Sequence, residues 1–552
     1  MRFLLFIGIS SLSGYASVAK GAAEAPRIVN IVNFIRQIEP RDSNITEEVL
    51  YQTVCEQVKL MNRYDFTGTF LLQYDALINP KYQTLFKSGE ASHFEVGGWW
   101  EITQPHVEAA GMKWRGRYLW DWHADVGFST GYTPGERELL VDEYMARFKE
   151  VFGKYPASVG SWFIDAHTLG YMYEKYGLEV SCNCKDQWGT DGYTLWGGYW
   201  NQAYYPSRKN AYMPAQSVDA QIPVPIFRML GSDPIYQYGL GSSPTSWQGV
   251  ISLEPVYPDS GGDPRWVKWF LKSMFEDPCM GFNYAQAGQE NSFTWNGMEK
   301  GLEMQMPLID DLRKKGVLRV ETLVQSGRWF KEKYKVTPPT ALSALTDVRD
   351  QGNRTVWYNS RFYRANLMWT RSGFFFRDIH MFDENLESDY LRERVKSNQC
   401  FFTTLPVVDG MLWSCDGRQA GLKLVKINGD GSSENIVLSD IDITDKDENI
   451  LFVKSKMADG TVFTFTFHED RMTVNSSSRN KKLKWALELV SFADKAPAFD
   501  EIAPGYIAAT EKGIGYKIIC REGRFVKTDG KADVALRMEP DRNALSVDFK
   551  GK

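Results

Sequence analysis

Between residues 27 and 318, apolar runs of strand length alternate with amphipathic runs of helix length, and a carboxylate or amide stands at nearly every strand end. Strands that alternate with helices pair side by side in parallel, because each connection must cross back over the sheet. The rhythm therefore predicts a parallel, barrel-like sheet. Residues 28–35 open the series and run into Arg36-Gln37-Ile38-Glu39, and a helix follows over 47–61 with Val54, Val58 and Met61 inward. Residues 66–73 form a second strand, 94–101 a third that ends in a glycine turn and Trp99-Trp100-Glu101, and 118–125 another. Later runs lead to Asp186 (from 178–182), to Glu254 (from 251–253) and to Gln286 and Glu290 (from 281–284).

The best-marked helix begins at Thr133-Pro134-Gly135-Glu136, which reads as N-cap, first-turn proline and capping-box glutamate. Leu140, Tyr144, Phe148 and Val151 make its apolar face, and Gly153 stops it. The next strand, residues 158–164, delivers Asp165 and His167 where the carboxyl ends of parallel strands open onto a ligand site. Asp165 is equally placed to cap a helix beginning near Thr168, and the two roles can coexist.

Beyond Gly316 the pattern changes. Residues 317–334 read as a final helix or link, Pro338-Pro339 punctuates, and short alternating runs such as 462–467 and 514–519 then dominate, with turns at Asn428-Gly429-Asp430-Gly431 and Asp459-Gly460. This is an antiparallel β-sandwich pattern. The segment 186–205 is an aromatic and glycine-rich insertion that reads as a binding loop, with Trp188, Tyr193, Trp196 and Trp200 as stacking surfaces, or as a self-packed Ω-loop.

Lys plus Arg number 64 against 69 Asp plus Glu, a net charge of −5 with no long basic run, which argues against a nucleic-acid partner. Aromatics reach 14%, with 18 Trp, and flat rings with one polar edge suit stacking on sugars. Arg2, the apolar run 3–9 and the small residues before Ala19 or Ala25 have the parts of a secretory signal, too short to span a bilayer, so a periplasmic or secreted protein without membrane insertion is expected. Seven cysteines are too sparse for a disulfide scaffold, although one or two bridges remain open, and Cys182-Asn183-Cys184 is spaced wrongly for a zinc knuckle.

Glycosidic cleavage needs two carboxyl groups across the scissile bond, and barrel closure would bring Asp165 and Glu290 together for it. Glu39, Glu101, Asp121, His123, Trp162, His167, Asp186, Trp188 and Gln286 are then expected to hold sugar hydroxyls or bias a carboxyl pKa. Asp121, His123 and Asp125 share one face of an extended strand and, with Asp165 and His167, offer oxygen and imidazole donors to a divalent ion. No helical His pair accompanies them, and no other cofactor is expected. A serine elbow and a phosphate-binding glycine loop are absent. Arg36, Arg41, Arg115, Arg117 and Arg228 would suit uronate or sulfate groups.

Gly160-Ser161-Trp162-Phe163-Ile164-Asp165 resembles the Gly-x-Trp-x-x-Glu segment of glycoside hydrolase family 57, in which the acidic residue is the nucleophile; aspartate stands for glutamate here. Glu290, in Gln289-Glu290-Asn291-Ser292-Phe293, falls roughly where that family's later acidic motif lies. More broadly, residues 27–318 resemble the seven-stranded β/α barrels shared by glycoside hydrolases of families 38 and 57 and polysaccharide deacetylases. Phe94-Glu95-Val96-Gly97-Gly98-Trp99 resembles the deacetylase segment that precedes metal-binding histidines, which are missing here. The whole chain also resembles exported proteins of glycan-degrading gut Bacteroidetes. These resemblances imply an α/β protein with a signal peptide over 1–25, an incomplete (β/α)7 barrel over 26–335 and an antiparallel β-sandwich over 336–552. They imply a glycoside hydrolase acting on a carbohydrate through Asp165 as nucleophile or base and Glu290 as general acid. The alternatives are a metal-dependent polysaccharide deacetylase and a non-catalytic glycan-binding protein.

Overall fold

The computed structural model describes residues 25–238, 250–415, 418–446, 449–477, 483–492, 499–528 and 534–550. The expected leader lies, except for its last residue, outside them. The first half is built on parallel strands β1 (Arg27–Ile35), β2 (Thr69–Leu72), β3 (Glu95–Trp99), β4 (Ser158–Gly160), β5 (Val180–Asn183), β6 (Ile226–Arg228) and β7 (Asn283–Ala287). Their order is β7-β1-β2-β3-β4-β5-β6, with Arg319–Glu321 also beside β1 and Ala203–Tyr204 antiparallel on the outer edge of β6.

Alternate residues of these strands enter two different cores, which is why the runs read as almost continuously apolar. Ile28, Val32, Phe34, Leu71, Trp99, Cys182, Phe227 and Tyr284 fill the barrel interior. Val29, Ile31, Ile35, Phe70, Leu72, Val159 and Ile226 lie under the helices. Among the described residues no ladder joins the β6 side to β7. Side chains span that gap: Asn201 Nδ2 donates to Tyr284 O at 2.7 Å, and the Phe227 and Tyr284 rings meet at 5.0 Å. The barrel is thus incomplete, as the resemblance implies.

The capped helix is Pro134–Phe152, with the Thr133/Glu136 capping box formed and Gly153 in the left-handed conformation. Two expected strands are absent. Residues 118–125 form an irregular loop whose one β-bridge joins Thr103 to Trp120. Residues 251–253 likewise contribute only a bridge, Ser232 to Ser252, so apolar character there reflects burial without a strand partner. Residues 317–334 split into the strand Arg319–Glu321 and the helix Leu323–Lys333. Cys55, Cys182, Cys184, Cys400, Cys415 and Cys520 form no disulfide among the described residues.

From Thr340 onward, a ten-stranded and an eight-stranded antiparallel sheet pack face to face. Phe374 on Phe465 and Tyr358 on Phe467 stack across them at 4.5 and 5.0 Å, giving the β-sandwich. The insertion after β5 folds as a hairpin, Gln187–Thr190 with Tyr193–Trp196, and its second strand pairs in parallel with Cys400–Thr403 of the second half.

A buried ion cluster fixes this junction. Asp186 accepts from Arg228 Nη2 and Arg364 Nη1, each at 2.6 Å, and from Gly197 N at 3.0 Å. Arg364, in a strand of the ten-stranded sheet, forks onto Asp378 as well. Burial would raise the Asp186 carboxyl, but the two guanidiniums hold it below the usual carboxylate range. Nearby, Trp200 stacks on Trp357 at 3.8 Å with planes 2° apart. Removing one member of such a cluster leaves buried charge uncompensated, so Arg364→Met should cost about 3–5 kcal/mol. Differential scanning calorimetry would read this as a clearly lowered melting temperature, and an unchanged one would show that the cluster does not hold the halves together.

Candidate functional site

A cavity of about 390 Å³ opens at the carboxyl ends of the barrel strands. Glu39 reaches it from beyond β1, Trp162 from beyond β4, Gln187, Asp191 and Tyr193 from the hairpin, and Glu290, Ser292 and Phe293 from beyond β7. Arg41, Asp42, Glu254 and Tyr257 complete most of its wall.

One guanidinium organises the floor. Arg36, the residue after β1, forks onto Glu101 with Nε at 2.9 Å from Oε2 and Nη2 at 2.6 Å from Oε1. Its Nη1 donates to Glu290 Oε1 at 3.1 Å and lies 3.6 Å from Glu39 Oε2, and the group sits 4.1 Å from the Trp120 ring centre. Gln73 Nε2 and Trp162 Nε1 also donate to Glu101, at 3.0 and 2.8 Å, so four strand ends meet on one carboxylate. Asn291 exchanges hydrogen bonds with the backbone of Arg36 at 2.9 and 2.8 Å, which pins the segment after β7 to β1.

Glu290 is held from one side only. Its Oε1 accepts from Arg36 and from Ser292 Oγ at 2.6 Å, while Oε2 is buried without a hydrogen-bond partner among the described residues. Burial pushes its carboxyl up to about 7; Arg36 opposes that shift and the charge of Glu101 adds to it. Glu254 is positioned through the neighbouring residue: Gln289 Nε2 donates to its Oε1 at 3.1 Å and Ser252 Oγ to its Oε2 at 2.7 Å, while Gln289 Oε1 accepts from Glu290 N at 2.8 Å. Two glutamates, one linked to Arg36 and one without an ion pair in the described structure, therefore face one cavity. At neutral pH such a wall can donate a proton from Glu290 and presents Glu254 as a second carboxyl group.

Glu39, Trp162 and Glu290 line the cavity, while Glu101 lies beneath it as the anchor of Arg36 and Trp162. Asp165 does not reach it. That carboxylate is fully buried, paired with Arg137 at 3.0 Å, and accepts from Ser129 Oγ at 2.6 Å and from Thr168 N and Oγ1 at 2.9 and 2.7 Å. Burial would raise it, but Arg137 and these donors hold it below the ordinary value. It is the N-cap of the helix Ala166–Tyr176, and the nucleophile assignment is corrected to that structural role. His167 lies on the same helix against Glu138, and Asp186 belongs to the junction cluster, so neither serves the cavity. Trp188 packs edge-on against Trp196 and beside Phe401, outside the cavity lining. Gln286, on β7, is buried below the cavity lining with no partner for its amide among the described residues.

The metal donors suggested by the sequence do not converge. Asp121 gives both oxygens to Arg117, at 2.9 and 2.7 Å, His123 sits beside the Trp122 ring, and Asp165 faces Arg137. No group of three His, Cys, Asp or Glu residues is arranged to hold a metal among the described residues. The arginines proposed for uronate or sulfate are also engaged: Arg36, Arg41, Arg117 and Arg228 face carboxylates, and Arg115 donates to Gly131 O. Glu254, Asp191 and Tyr257 were missed as site residues, although Glu254 follows an apolar run in the same way as the other strand-end carboxylates.

A larger concavity of about 890 Å³ lies at the opposite ends of the strands, around Glu95, Ala157 and Glu179. Glu95 there accepts from Ser158 Oγ and Val324 N, and no lining residue carries a buried polar atom without a partner. It lacks the titratable geometry of the smaller cavity, which is therefore the candidate site.

No family model matches the chain, and no curated protein matches it. Among solved structures, a Parabacteroides distasonis protein bearing the inferred name glycoside hydrolase/deacetylase is 16% identical, with a TM-score of 0.49 over 69% of this chain and 90% of its own. A Mycobacterium smegmatis protein with the inferred name polysaccharide deacetylase is 12% identical, with a TM-score of 0.36 over 58% of this chain and 96% of its own. A 4-alpha-glucanotransferase from Thermococcus litoralis is 11% identical, with a TM-score of 0.23 over 95% of this chain and 99% of its own. At these values the likenesses carry no chemistry across.

The raised Glu290 pKa has a consequence for stability. The folded state holds this proton up to about 7, while the unfolded chain releases it near the ordinary value of 4.5. The neutral form thus favours folding at low pH, and that advantage is lost as pH rises through this window. Glu290→Gln should therefore raise the melting temperature relative to the parent more at pH 8 than at pH 5. An equal difference at both would show that the carboxyl is not desolvated.

Proposed function

We propose that this protein is an exported glycoside hydrolase that cleaves a carbohydrate chain with Glu290 as general acid and Glu254 as the partner carboxylate, serving as base or nucleophile. The observation that carries this reading is the unpartnered Glu290 Oε2, in a cavity that Glu254 shares and whose wall includes Trp162, Tyr193, Tyr257 and Phe293. A carboxyl with a pKa near 7 keeps a usable proton at neutral pH, which a leaving glycosidic oxygen needs. Aromatic faces around such a pair suit sugar rings, and Trp162 is held rigid by its bond to Glu101. Arg36 keeps Glu290 in place without neutralising its outer oxygen. Carbohydrate is thus the proposed partner, and export follows from the leader-like first residues.

The experiment is release of reducing ends from a panel of neutral polysaccharides by the parent protein, Glu290→Gln and Glu254→Gln, each confirmed as folded. Each substitution should lower kcat by roughly 10²–10⁴-fold. The Glu290→Gln defect should shrink on aryl glycosides, whose leaving groups need no proton, and the parent's activity should fall as pH rises past about 7. Near-parental activity in either variant removes the assignment. Release of acetate that EDTA abolishes, with no new reducing ends, replaces the hydrolase by an esterase.

A further inference from the structure

Beside the cavity lies an aromatic ledge that the proposed cleavage chemistry does not use. The loop between β3 and β4 stacks Tyr118 on Trp122, ring centres 5.8 Å apart and planes 11° from parallel. The ledge is built rather than loose. Arg117 sits 4.8 Å from the Trp122 ring and 5.5 Å from the Tyr118 ring, and its guanidinium is forked onto the buried Asp121. Trp114 Nε1 donates to Tyr118 O at 2.8 Å. Despite these contacts, Tyr118 is 44% exposed and the adjoining Leu119 49%.

Two contacts make the ledge continuous with the cavity. Arg41, part of the cavity wall, lies 5.5 Å from the Trp122 ring and pairs at 3.2 Å with Asp191, which also lines the cavity. The hairpin turn that carries Asp191 and Tyr193 also presses on Trp122, since a Cβ at Gly192 would lie only 2.5 Å from Trp122 O. Arg41 therefore links the aromatic stack to the wall of the proposed site.

Resting on the proposed carbohydrate reading, we infer that Tyr118, backed by Trp122, is a remote sugar-binding subsite, and that the site takes a glycan chain of several units. A sugar ring covers flat apolar surface with its C–H face while its hydroxyls stay in water, which fits an exposed tyrosine fixed in orientation. Arg117, forked onto Asp121 and close to both rings, stiffens the ledge.

The test is isothermal titration of Glu290→Gln protein with neutral cello-, malto-, xylo- and chito-oligosaccharides from disaccharide to octasaccharide. For the series that binds, affinity should rise with length. Adding Tyr118→Ala should weaken the longest ligand about tenfold and the disaccharide by less than about twofold. Tyr155→Ala, at an exposed tyrosine by the opposite concavity, should change neither. Affinity independent of length, equal losses at all lengths, no loss with Tyr118→Ala, or no binding by any series overturns the subsite. Length-dependent binding that Tyr118→Ala weakens, with no cleavage by the parent protein, keeps the subsite and removes the hydrolase. Cleavage of long and short chains that Tyr118→Ala leaves unchanged does the reverse.

Discussion

The candidate site depends on one buried cation asked to serve three carboxylates. Arg36 spends its fork on Glu101, and only Nη1 remains for Glu290 and Glu39. A bidentate pair is the stronger and more directional contact, so Glu101 becomes the fixed counter-ion and Glu290 the under-compensated one. Glu39 has its own rescue in Arg41, which forks onto it at 2.7 Å from each oxygen. Glu290 has Ser292 instead, a neutral donor, and its second oxygen has no partner among the described residues. Burial raises the Glu290 carboxyl, and the unequal sharing of Arg36 leaves that burial under-compensated.

The second half of the chain contributes to this arrangement through the walls. The hairpin bearing Gln187, Asp191 and Tyr193 is a strand partner of Cys400–Thr403, and Asp186 at its base is clamped by Arg364 from the sandwich. Loop residues at the barrel mouth are held by a strand from the second half of the chain and a buried ion cluster. Positions on a cavity wall that must stay within a few tenths of an ångström gain most from such support.

Much of the fold was legible in the sequence because its signals are local. Caps, glycine stops and the period of apolar residues located the helix Pro134–Phe152 and most of β1 to β7 within a few residues. Residues 118–125 carried a similar aromatic texture, yet only Trp120 bridges a neighbour and the rest form a loop. The site was less legible because charge compensation is not local. Nothing in the run 160–167 says that Arg137, on the preceding helix, turns inward onto Asp165. Glu254 looked like one more carboxylate after an apolar run, and only the closed ring shows Gln289 joining it to Glu290. Trp188 and Trp196 met the sandwich rather than a ligand, because the insertion had a strand partner far along the chain.

Among the buried carboxylates beside an arginine, Asp165, Asp186 and Glu290 separate by what completes them. Asp165 and Asp186 are surrounded by donors, and both lie below the ordinary carboxylate value. Glu290 has a similar degree of burial and a cation at 3.1 Å, yet it lies above that value. Burial alone therefore does not mark a reactive group here, and neither does an arginine neighbour. What distinguishes Glu290 is the number of donors left out: folding stability would be better served by a further donor to Oε2, and the chain instead leaves that oxygen on the side of a cavity lined with aromatic rings. A protein that completes two such carboxylates and leaves a third incomplete has the pattern expected where stability is given up for chemistry.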